Sequence, residues 1–182
     1  MTPMQKIIET ILANHNLLGA FNDPECHELH LKLENKPYMP LVIEKVGADT
    51  ISVCHFFIQE GDVMYDPELT FGWLDWVPTS ITQHPLGRYA EVFRAVGDNP
   101  RALCDSQLLR ELKSFATMWA TNIKDQGFTG DNVKAKSLSH SQVTGKPNVE
   151  DDYVEPAIPF SLPDDADIQP VYDQVDTGWG ID

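Results

Sequence analysis

The stretch "HFFIQEGDVMYDPELTF", His55 to Phe71, decides the fold. Residues on both sides of Glu60-Gly61 favour strands, and a two-residue loop carrying a glycine at positive φ is the signal of a tight hairpin. Counting outward from that loop sets Gln59 opposite Asp62, Phe57 opposite Met64 and His55 opposite Asp66. Because strand side chains alternate, His55, Phe57, Gln59, Asp62, Met64 and Asp66 share one face. Cys54, Phe56, Ile58, Val63 and Tyr65 share the other, which is the more apolar and is expected to face the core.

The rest of the chain extends this hairpin into a meander. "TPMQ" at residues 2–5 fits a capping box with Pro3 in the first turn, and Met4, Ile7, Ile8, Ile11 and Leu12 form one helical stripe to about residue 15. "AFNDPECHE" reads as loop. "HLKLE" (30–34), "PLVIEKV" (40–46) and "TISVCHFFIQ" (50–59) read as successive strands separated by the turns "NKP" and "GAD". Downstream, strands are expected at Val63–Tyr65, Glu68–Gly72, Trp76–Thr82 and Arg88–Arg94, and "GDNPRALC" follows them with no element assigned. "RYAEVFR" fits a helix nearly as well as a strand. Asp105 is placed to cap a helix whose apolar positions are Leu108, Leu112, Phe115, Trp119 and Ile123, and Gly127 stops it with Phe128 as its hydrophobic contact. The expected fold is α+β: an antiparallel β-meander of about five to seven strands, with an N-terminal helix and a long C-terminal helix packed on it.

Beyond Phe128 the composition turns polar, so residues 1–128 are expected to form one domain and 129–182 a mostly disordered tail. Pro147 to Asp182 hold ten acids and no Lys or Arg, which accounts for −10 of the net −15, while residues 1–146 carry 18 acids and 13 bases. This balance speaks against wrapping a nucleic-acid backbone, which needs clustered cations. Three separated cysteines cannot build a disulfide framework, and with no signal-peptide pattern and no apolar run of about 20 residues a cytoplasmic location is expected.

Four segments, "NKPYMPLVIEKVG" (35–47), "HFFIQEGDVMYDPELTF" (55–71), "WVPTSITQHPLGRYAEV" (76–92) and "LLRELKSFATMWATNIKDQGF" (108–128), together resemble an uncharacterised bacterial family, a domain of unknown function common on plasmids, integrative elements and prophages. The resemblance implies a shared fold and no assigned activity. The family's usual Asn-Gly turn is Glu60-Gly61 in this chain. In the tail, "EPAIPF" resembles the acidic tip of bacterial single-stranded-DNA-binding proteins, which implies a docking role for Ile158, Pro159 and Phe160; in that family the phenylalanine is terminal, whereas Phe160 is internal.

The candidate chemistry centres on His55, Asp62 and Asp66. A carboxylate opposite an imidazole could orient it, favour its protonated form and serve as an acid-base unit. Equally, Asp66-Pro67 could open a type I turn, the carboxylate capping turn amides. Glu60 and Glu68 read as solvated. "CHELH" (26–30) lacks the HExxH pattern of a zinc site, and on a strand His27 and His30 point apart. No metal site or cofactor is expected. Arg88 and Tyr89 could meet an anion or a partner, and Trp73, Trp76 and Trp119 could line a groove or fill the core. An acidic tail with spaced anchors, Trp179 among them, suits a partner protein with a basic surface. Two functional classes remain. One is a non-enzymatic mobile-element accessory protein acting by protein contact, with a host defence or nucleic-acid-binding protein as a target. The other is a small enzyme or ligand-binding domain around His55 and Asp66.

Overall fold

The computed structural model describes residues 1–130 and 133–140, the side chains of 137–140 excepted. Helix α1 (Pro3–Asn14) starts as its sequence dictates: Thr2 Oγ1 accepts from the Gln5 amide at 3.1 Å, and Gln5 Oε1 accepts from the Thr2 amide at 3.4 Å. A short α2 (Leu18–Asn22) follows. Strands β1 (Glu28–Leu33), β2 (Leu41–Val46), β3 (Thr50–Gln59), β4 (Asp62–Gly72), β5 (Pro78–Gln83) and β6 (Arg88–Glu91) come in series. They are followed by the hairpin β7 (Phe93–Val96) and β8 (Asn99–Cys104), the long α3 (Ser106–Asp125) and β9 (Ala135–His140).

Seven strands form one antiparallel sheet in the order β6-β5-β4-β3-β2-β1-β9, and β7-β8 pair separately. The register aligns Leu31, Ile43, Val53, Leu69, Ile81 and Ala90 in a row across six strands on one face. α1 and α3 cover that face, burying Met4, Ile8, Ile11 and Leu12 from the first and Leu112, Ala116, Trp119, Ala120 and Ile123 from the second. Asp105 Oδ1 caps α3 by accepting from the Gln107 and Leu108 amides at 3.1 and 2.9 Å. Gly127, at φ 81, ends it so that the Phe128 amide donates to Ile123 O at 3.2 Å and the Phe128 ring is buried, the pattern of a glycine C-cap.

Four sequence expectations change. The β3–β4 turn has both Glu60 (φ 54) and Gly61 (φ 94) left-handed, and Gln59↔Asp62 and Phe57↔Met64 pair as counted. The count then fails: Phe56 pairs with Tyr65 but Cys54 with Glu68, so one residue, His55, faces two, Asp66 and Pro67. Asp66-Pro67, a cis peptide, is thus a bulge inside a continuous strand and not a turn between two short ones. The core face is also reversed, because Ile58 and Val63 at the hairpin tip are exposed whereas His55 is buried. "RYAEVFR" splits between β6 and β7, the second of which pairs with β8 at Asn99–Cys104. Finally, regular structure continues past Phe128, because β9 pairs with β1 from Leu29↔His140 to Leu33↔Ala135.

The buried row predicts how truncations on the two faces differ. Leu69→Ala, at a fully buried position, should destabilise by about 2–5 kcal/mol. Ile58→Ala at the exposed tip should stay within about 0.5 kcal/mol. Urea unfolding of the two variants measures both; the reverse order would restore the face assignment made from composition.

Candidate functional site

The second face of the sheet carries the concentrated polar chemistry. The register that builds the apolar row also aligns His30, Glu44, Ser52, Thr70, Ser80 and Glu91 across the same six strands. Beside it runs Lys32, Val42, Cys54, Glu68, Thr82 and Tyr89. Neighbouring side chains in these rows bond to one another. His30 Nδ1 meets Glu44 Oε1 at 2.7 Å, and Ser52 Oγ donates to Glu68 Oε1 at 2.8 Å. Thr70 Oγ1 lies 2.6 Å from both Thr79 Oγ1 and Ser80 Oγ, and Tyr89 Oη donates to Glu91. Lys32 Nζ sits 4.9 Å from the centre of the Phe56 ring. Val42, Ser52 and Cys54 are buried between these longer neighbours, and among the described residues no α-helix lies on this face.

Cys54 is not a reactive thiol. Burial, and then the charges of Glu68 and Glu44, push its pKa up to about 12, so the thiolate that nucleophilic chemistry needs is not formed near neutrality. Toward the hairpin end the face becomes aromatic, with Tyr65 and His84 rings 5.4 Å apart and the Tyr65 amide donating to His84 Nδ1 at 3.0 Å.

The sequence-derived candidates fall in separate places. His55 lies on the helical side, 5.6 Å from the Trp119 ring and 5.6 Å from the Phe128 ring, and is 3% exposed. Its Nδ1 donates to Pro40 O at 3.0 Å, and because a carbonyl can only accept, the ring hydrogen resides on that nitrogen. Burial lowers the His55 pKa and outweighs the opposing pull of the Pro40 carbonyl, the Gln126 side chain, the Met39 carbonyl and, weakest, the Asp66 charge. Asp66 therefore does not hold the ring protonated, and no hydrogen bond joins the two. Asp62 is exposed at the hairpin tip. His55 Nε2 and Gln126 Oε1 are both buried without a hydrogen-bond partner; a half-turn of the Gln126 amide would offer an N–H to the Nε2 lone pair.

Arg88 and Tyr89 are neighbours on β6 and take opposite faces: Tyr89 is exposed in the polar rows, while Arg88 pairs with Gln83 on the side of Ile81 and Ala90, its Nη1 3.5 Å from Gln83 Oε1. Trp119 and Trp76 are buried, and Trp73 donates through Nε1 to Phe21 O at 3.0 Å. In "CHELH", Cys26 Sγ donates to Glu28 O at 3.3 Å while His30 turns to Glu44. Among the described residues no group of three or more His, Cys, Asp or Glu side chains is placed to hold a metal ion, and no helix is long and apolar enough to cross a membrane. Ile158, Pro159, Phe160 and Trp179 lie outside the described residues.

The lowered His55 pKa fixes a pH dependence. The folded state favours the neutral ring, so the unfolded chain binds the proton more readily, and stability present above the ordinary histidine value of about 6.5 is lost as pH falls through the lower folded value. Urea midpoints between pH 7.5 and 5 should fall more steeply in the native chain than in His55→Gln. Equal slopes would mean that this ring does not titrate with unfolding.

No curated protein and no solved structure matches the chain. One family model does, over residues 6–129, from the first turn of α1 through the glycine cap of α3. The chain therefore belongs to the family described as "Domain of unknown function (DUF6908)".

Proposed function

We propose that the domain is a binding module acting by protein–protein contact through the polar face of its sheet, toward a partner that presents a basic surface. The observation that carries this reading is the polar row His30–Glu44–Ser52–Thr70–Ser80–Glu91, six strands wide. A solvated face needs no such continuity, whereas a recognition surface gains from donors and acceptors held in register by a rigid sheet. Glu44, Glu68 and Glu91 outnumber the Lys32 cation on that face, which agrees in sign with the net charge of −15 and favours cationic partners. An accessory role on a mobile element rests on the family resemblance, and a host nucleic-acid-binding or defence protein as its target is the finer form of the proposal.

The enzymatic alternative has less support. Its histidine is buried with Nδ1 committed to Pro40 O, and its nearest thiol, Cys54, is held protonated. An acid-base pair must reach a substrate proton, which a ring enclosed by Trp119 and Phe128 does not.

The test is capture of binding partners with the native chain, with a Ser80→Trp/Glu91→Lys double variant, and with a chain ending at His140. That end-point keeps β9 on the sheet, where an end at Phe128 would strip β1 of its neighbour. The double variant should lose the partner while staying folded, its unfolding free energy falling by about 1–3 kcal/mol through loss of the Thr70–Ser80 and Tyr89–Glu91 bonds. Binding should weaken as salt rises. Capture that survives the double variant but disappears in His55→Gln would move the function to the other side of the sheet.

A further inference from the structure

We infer that the domain has a second binding site, on the helical side of the sheet and independent of the polar face, for a small molecule with a flat apolar body and one carboxylate. A cavity of about 300 Å³ opens between the start of α1, the β4–β5 connection and the middle of α3. Met4, Phe71, Trp76 and Ala116 are among its walls, and the exposed Lys113 and Thr117 stand at its rim. That volume is at the lower end of small-molecule pockets, about 300–1,000 Å³, and suits a body of one or two rings.

The wall formed by Trp76 is held in place by more than apolar contact. Trp76 is left-handed at φ 52, a conformation that a bulky residue adopts only when its surroundings impose it. Its amide donates to Gly72 O at 2.9 Å, and Asp75 fixes the preceding turn by accepting from the Val77 amide at 3.0 Å and from Arg101 Nη1 at 2.6 Å. A Cβ at Gly72 would meet Asp75 Oδ1 and Arg101 Nη2, so any larger residue there would displace the Asp75–Arg101 pair that braces the turn. The indole so placed lies against Phe21 and Phe71, with ring centres 6.0 and 5.8 Å away.

Charge selects the ligand. The two charged residues lining the cavity are Asp75 and Lys113. Burial raises the Asp75 pKa, but the Val77 amide and Arg101 more than reverse this, leaving the carboxylate ionised and already matched. Lys113 has no ion pair among the described residues. The site therefore offers an unmatched cation beside an aromatic wall, the complement of an aromatic or bicyclic monocarboxylate.

Naphthalene-2-carboxylate and its uncharged counterpart 2-naphthalenemethanol, titrated into the ¹⁵N-labelled full chain, test this. Saturable amide shifts are expected at Met4, Trp76 and Ala116, with the acid binding roughly three- to fivefold more tightly than the alcohol, the range of an exposed ion pair. Lys113→Gln should equalise the two, and Thr117→Phe, a rim substitution at an exposed helix position, should abolish both. Ser80→Trp/Glu91→Lys should leave the titration unchanged. Absence of saturable shifts, shifts centred elsewhere, or equal affinity of acid and alcohol in the native chain would overturn the assignment.

Discussion

Everything in the fold depends on a single alternation kept in register over six antiparallel strands. A strand places consecutive side chains on opposite faces, so six strands in register produce rows, and one mispairing would mix them. Leu31, Ile43, Val53, Leu69, Ile81 and Ala90 make the central apolar row, and that face receives α1 and α3. α1 is short and depends on docking; its capping box sets where it begins, and its stripe of Met4, Ile8, Ile11 and Leu12 sets which side meets the sheet.

Two polar residues on the apolar side show how strictly the alternation is enforced. Lys45 lies on that face and is 2% exposed, its ammonium donating to Phe21 O at 3.2 Å and Asp23 O at 2.8 Å and lying 3.8 Å from the centre of the Trp73 ring. A buried ammonium is tolerated only when its donors are satisfied. The carbonyls at the end of α2, whose helix dipole also favours a cation, supply this. Burial lowers its pKa against the opposing charges of Cys26 and Asp23. His55 is accommodated in the same manner by Pro40 O. Each intrusion recruits a connecting segment, so the loops before β1 and β2 are positioned by the core residues they satisfy.

Sequence reading succeeded where a local signal was sufficient. Thr2, Asp105 and Gly127 are cap residues whose geometry involves only near neighbours, and β3 and the hairpin loop were visible as a β-branched run meeting Glu60-Gly61. It failed where tertiary contacts decide. Counting in twos assumes no inserted residue, so the bulge opposite His55 was hidden, and with it the face that His55 would take. β8 and β9 have turn-like or polar sequences, yet a ladder needs only backbone groups and a neighbour. α2 is too short for a periodic signal and is fixed by Lys45 and Trp73 from elsewhere in the chain. The polar row was illegible for a deeper reason: its six residues come from six segments, none forming a motif, and only the register unites them.

That register also limits what the polar face can recognise. Its hydroxyls and carboxylates are largely satisfied by one another, as in Thr70 with Thr79 and Ser80, Ser52 with Glu68, and His30 with Glu44. On the proposed function, a partner laid on this face would displace the water around these groups and leave their mutual bonds in place. An apolar surface laid over the face would strip water from the Glu44 and Glu68 carboxylate oxygens that these bonds leave free, at about 1–3 kcal/mol for each group left unpaired. A polar, cationic surface exchanges bonds at little net cost. On the proposed function the face would therefore discriminate against apolar surfaces more than it attracts polar ones, a route by which a rigid polar sheet gains specificity without a pocket.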